Sequence, residues 1–201
     1  MMTENMVAKG ISKFQALFRG KVTREGEYKR AKMGADILCP FLSSPPSVIT
    51  AILQHANGKL GKYSILYDLG CGDGQVLIGV AAATGAKCIG VDISDFLCAT
   101  ARRKSLEASV GSLVEVWRCD LSTFSFNFDR DGTPTAVFAF LVPSCLQVLS
   151  KGLFKTLPKG TLLFLYKFPL PLQDGWTPFA EATVDDAVKQ GSLATLFCYL
   201  V

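Results

Sequence analysis

The chain has 201 residues, 49% of them hydrophobic, enough for one full-sized core and short for two. No apolar run approaches the ~18 residues that span a bilayer; the longest, Ala136 to Val142, has the length of a strand. Residues 1–34 hold eight Lys or Arg against three Glu, which leaves thirteen basic and fourteen acidic residues (21 − 8 and 17 − 3) for the rest, so the body of the chain lacks the basic surface of a nucleic-acid binder.

In chain order, MVAKGISKFQALFRGK spaces Val7, Ile11, Phe14 and Leu17 at helical intervals among Lys and Arg, the pattern of a targeting or docking helix. Residues 1–34 form this basic segment, and 35–201 the folded domain. SSPPSVITAILQHA opens the first core helix, with Ser44 as its cap and the prolines in its first turn. Strand and helix then alternate: YSILYDL, a helix over 75–84, AKCIGVD, a helix over 95–109, LVEVWRCD, TAVFAFLV, a short helix over 144–152, and GTLLFLYKF. These strands read as apolar on both faces, as a parallel sheet covered by helices requires. AEATVDDA and LATLFCYLV, around a KQGS turn, read as a closing hairpin. The expected fold is α/β and Rossmann-like, a three-layer sandwich on a mostly parallel seven-stranded sheet with a C-terminal antiparallel hairpin.

Cysteine and histidine narrow the chemistry. Seven cysteines contain no CxxC pair, which argues for buried thiols rather than a disulfide framework or a structural zinc. The sole histidine, His55, offers no basis for a metal centre or a catalytic triad, and the expectation is no metal.

The informative stretch is YDLGCGDGQV, residues 67–76. It is not a P-loop, because no Lys-Ser/Thr pair follows the glycines. As a dinucleotide fingerprint it has Gln75 where the third glycine belongs. What remains is D-x-G-x-G-x-G, with Asp68 at the end of the first strand and Gly70, Gly72 and Gly74 allowing a sharp turn and close approach to a ligand. A carboxylate there disfavours a phosphate and suits a cation. S-adenosylmethionine carries a sulfonium, an ammonium and no phosphate. Asp92, ending GVD, is placed for its ribose hydroxyls, and Asp120, ending RCD, for its adenine amino group. Asp73 reads as a cap for the following helix. Cys145 follows Pro-Ser and falls within a helix, which argues against a nucleophile.

DLGCGDGQ followed by GVDIS, then FLVP, then KFPLP and Trp176, resembles a group of small seven-strand lysine methyltransferases. That group modifies mitochondrial inner-membrane proteins such as the adenine nucleotide translocase and the c-ring protein of ATP synthase. The resemblance covers about residues 36–201. It implies a class I S-adenosylmethionine-dependent methyltransferase acting on a protein lysine, membrane proteins included, with Val142 and Pro143 in the target-lysine channel. It also implies a mitochondrial location, with cytoplasmic as the alternative, and no nucleic-acid partner. Cys71 stands for the usual Ser, Asp92 for Glu and Lys167 for Arg, and the group's membrane-inserting N-terminal segment has no counterpart here. A small-molecule methyltransferase and a non-catalytic cofactor-binding partner protein stay open as alternatives. Ser43 and Ser44 belong to a loop that could fold over the cofactor, and no general base stands out.

Overall fold

A computed structural model describes residues 41–171 and 175–201. The N-terminal amphipathic stretch and Cys39 lie outside the described residues. Helix α1 (Pro46–His55) leads into β1 (Ile65–Leu69), α2 (Gln75–Thr84), β2 (Lys87–Asp92), α3 (Asp95–Glu107) and β3 (Val114–Arg118). A single helical turn α4 (Phe128–Asp131), β4 (Ala136–Ala139), α5 (Pro143–Lys151), a 3-10 turn (Leu153–Thr156), β5 (Leu162–Tyr166), β6 (Ala180–Asp185) and β7 (Leu193–Leu200) follow.

The sheet runs β3-β2-β1-β4-β5-β7-β6. β7 pairs antiparallel with both β5 and β6, so the closing hairpin is as expected, but its second strand is the one inserted beside β5. The expectation of strands apolar on both faces holds for β1, β2, β4 and β5 and fails at β3, on one edge of the sheet. β3 alternates buried or half-buried with exposed residues, and β6, on the other edge, alternates half-buried and exposed ones with Val184 buried, because an edge strand is only partly covered.

Glycine sets both ends of α2. Gly74 at its start and Gly85 at its end take left-handed φ of 79° and 72°. The six residues Val76 to Ala81 are all buried, since the helix is enclosed by the sheet, α1 and α3. At α1 the structure corrects the sequence reading. The prolines move the helix start so that Pro45, not Ser44, is the capping residue, and no side chain caps it. Ser44 is buried instead, and Ser47 accepts a hydrogen bond from Asp185 N at 3.0 Å, tying α1 to the end of β6.

Alternation along the strands divides the core in two. Leu66, Phe138, Phe164 and Tyr166 face α1, α2 and α3, while Tyr67, Leu69, Val137 and Leu163 face α5 and the 3-10 turn. On this second face no long helix covers the β3–β4 crossing; Phe124 and Phe126 do so, edge-on or tilted to Tyr67 at 6.4 and 5.0 Å. The Tyr67 hydroxyl is buried without a hydrogen-bond partner among the described residues. Burial, then the charge of Asp131, pushes its pKa up to about 12. An orphaned buried hydroxyl carries a desolvation cost of about 1–3 kcal/mol. Tyr67→Phe should therefore leave the melting temperature unchanged or higher by calorimetry; a fall of several degrees would reveal a partner.

Candidate functional site

The glycine loop leaves β1 and enters α2 with positive φ at Gly70 (80°), Gly72 (53°) and Gly74 (79°). Gly70 N and Cys71 N both donate to Val91 O, at 2.8 and 3.0 Å, pinning the loop to the end of β2. A Cβ on Gly72 would lie 2.2 Å from the Phe41 ring, and one on Gly74 2.8 Å from the Ala101 Cβ. The sequence explains these glycines by a turn and an approaching ligand. The turn is there, but much of the close approach is made by the protein's own residues 41–45 and α3. Ser43 Oγ donates to Gln75 Oε1 at 2.6 Å, so the loop before α1 is fastened over the start of α2.

Asp68 shares the Leu66 face by alternation and is 2% exposed. Among the described residues no donor reaches its carboxylate. Burial, followed by the charges of Asp92 and Asp73, holds its pKa well above the carboxylate range. Asp73 is not the expected cap: its buried carboxylate pairs with Lys104 Nζ on α3, because the helix start is taken by Gly74. Asp92 ends β2 half-buried. It accepts from Gly72 N through Oδ2 and from Ser94 N through Oδ1, each at 2.9 Å, which leaves each oxygen a lone pair for a further donor. Asp120 is exposed two residues beyond β3, and Ser122 N donates to its Oδ1 at 2.8 Å. That hydrogen bond lowers its pKa. The three aspartates predicted from sequence thus stand at or just beyond the carboxyl ends of neighbouring strands β1, β2 and β3. The order of the sheet reverses between β1 and β4, where open α/β sheets take their ligands.

Across that switch point, Val142 is the capping residue of α5, half-buried, and Pro143 is its exposed first residue. Cys145 is half-buried with its thiol pKa raised by burial, the inert form for a nucleophile. His55 Nδ1 lies 3.0 Å from Ala51 O within α1. At the end of β5, Lys167 takes φ 73° and its Nζ donates to both oxygens of Asp186 at 2.9 Å. Phe41, Lys104 and this Lys167–Asp186 pair were not among the sequence candidates.

The profile of the ANTKMT methyltransferase domain matches residues 68–180, more than half of the chain. The chain belongs to this methyltransferase family. It is an S-adenosylmethionine-dependent enzyme with the Rossmann-like fold expected of the class. It is 30% identical over 149 residues to a protein-lysine N-methyltransferase of Saccharolobus islandicus, covering 73% of this chain and 86% of that protein. It is 30% identical over 141 residues to the mouse adenine nucleotide translocase lysine N-methyltransferase, covering 70% of this chain and 57% of that one. This methyltransferase thus spans under two thirds of that longer relative. Among solved structures, an RNA methyltransferase from Salinibacter ruber, in complex with S-adenosylhomocysteine, superposes with a TM-score of 0.65 at 31% identity. The match covers 80% of this chain and 94% of that one.

Proposed function

We propose that the chain transfers a methyl group from S-adenosylmethionine to a lysine side chain of a protein, and that the buried Asp68, which has no hydrogen-bond or ion-pair partner among the described residues, is the observation that carries this reading. An ionised carboxylate beside two others is costly to hold without a cation. The cofactor's ammonium supplies one, so the residues present fit the group. In this reading Asp68 and the loop of Gly70, Gly72 and Gly74 hold the methionine portion. Asp92 accepts from the ribose through its spare lone pairs, and Asp120 faces the adenine. Val142 and Pro143 border the target channel.

When bound, the cofactor supplies an electrophilic methyl for in-line displacement. The protein's part is to align the amine and keep water from it. Tyr166 offers no base: its hydroxyl donates to Asp185 O and accepts from Ala187 N, each at 2.7 Å. The amine gives its proton to water, helped by an apolar channel that disfavours its charged form.

The target class follows the relatives named for lysine methylation of the adenine nucleotide translocase and of ATP synthase, both of mitochondrial membranes. We place the enzyme with them in mitochondria, acting on a membrane protein. Among the described residues no helix is long and apolar enough to cross a membrane. The RNA methyltransferase likeness favours a second reading. The near-neutral charge of residues 35–201 speaks against it, because RNA binding draws on basic surface. Incubation with methyl-labelled cofactor and separated membrane and soluble extracts decides between them. The lysine reading expects label in a discrete membrane-protein band that survives nuclease and is lost to protease. Label lost to nuclease would establish the RNA reading.

A further inference from the structure

Strands β4 and β5 lie on the opposite side of β1 from β2 and β3, so a cofactor spread over Asp68, Asp92 and Asp120 leaves their carboxyl ends to the second reactant. On the Asp68 face those ends carry two aromatic rings. Phe138 pairs with Asp68, and alternation puts Phe140 on the same face one pleat further out. Tyr166, two residues beyond Phe164, stands beside it. The rings meet edge to face, with centroids 4.5 Å apart and planes at 63°.

The two differ in what holds them. Tyr166 is fully buried, and its hydroxyl is fastened on both sides to the turn after β6, so its ring is a fixed backing. Phe140 is half-buried, one residue beyond the carboxyl end of β4. Only apolar residues, Leu141 and Val142, separate it from Pro143. Such a surface suits a chain of methylenes ending in an amine and offers nothing to the hydroxyls of a sugar.

We infer that Phe140, backed by Tyr166, forms the wall of the target pocket and selects an alkylamine side chain by packing its methylenes and excluding water from its nitrogen. This rests on the lysine reading above. Tyr166 acts through Phe140 and through the turn at 185–187, and is a positioning residue.

The test titrates membrane-protein extract against the full chain at saturating labelled S-adenosylmethionine, with cofactor affinity measured separately by calorimetry. Phe140→Ala should raise the half-saturating extract concentration about tenfold or more, as loss of a buried aromatic contact implies. Phe140→Tyr should restore it, and both variants should bind the cofactor within about twofold of the parent. Should Phe140→Ala melt early, Phe140→Leu serves in its place, with a smaller shift in the same direction. An unchanged half-saturating concentration overturns the inference. So does an equal loss of cofactor affinity, which would make the wall part of the cofactor site. A parent enzyme that binds cofactor and labels no protein removes the lysine reading, and the inference with it. The calorimetry and the parent control keep these failures distinct.

Discussion

Replacing Asp68 with Asn is expected to weaken S-adenosylmethionine binding by about a hundredfold or more, because removing one partner of a buried charge pair costs about 2–5 kcal/mol. The same substitution is expected to raise the melting temperature of the protein without cofactor. The second effect follows from the raised pKa of Asp68. A carboxyl whose folded pKa lies above its unfolded one stabilises the fold fully only below the unfolded value, where both states are protonated. That contribution is lost as pH rises from the unfolded pKa through the folded one, so near neutrality burial of Asp68 works against folding. Asn is neutral at every pH and escapes the loss. Melting curves from pH 5 to 8 should show the variant gaining on the parent as pH rises, and a variant that melts lower near neutrality would contradict the account.

The second large effect concerns Lys104. Its ammonium, on α3, pairs with Asp73 in the glycine loop, and the two side chains are 24% and 6% exposed. Lys104→Met leaves the buried Asp73 carboxyl without its partner, which should lower stability by about 1–3 kcal/mol. Removing the second charge as well, in Lys104→Met with Asp73→Asn, should recover most of the loss. Urea unfolding of the single and double variants measures this directly. Equal losses in both would mean that the pair contributes by packing and not by charge.

Much of this architecture is legible locally. The bounds 75–84 of α2 can be read from the sequence because glycines in left-handed conformation stand at both ends. The interior strands announce themselves by continuous apolar runs. The aspartates at or just beyond the ends of β1, β2 and β3 are legible for the same reason, since a polar residue closing an apolar strand is a local signal. Errors arise where a contact joins distant segments or where neighbours shift a boundary. Asp73 has the composition of a cap, but its partner is thirty-one residues away. Phe41 covers Gly72 from across the first helix and strand, and nothing within residues 67–76 indicates it. Ser44 loses its expected role to Pro45, whose side chain carries no acceptor. The Tyr166 hydroxyl and the turn it fastens are separated by some twenty residues and meet only because β7 inserts beside β5.

These cases share a physical origin. Periodicity and turn chemistry act within a few residues, whereas the charge balance of the site depends on which strand ends the sheet order brings together. The central claim is that this balance is completed by a cation from the cofactor at Asp68. Calorimetry of S-adenosylmethionine binding, in two buffers of different ionisation enthalpy at the same pH, tests it most directly. Because a bound cation favours ionised Asp68, binding to the parent should release a proton, and that release should vanish in Asp68→Asn together with most of the affinity. Equal affinity and equal proton release in the two proteins would place the cofactor's cation elsewhere and contradict the account.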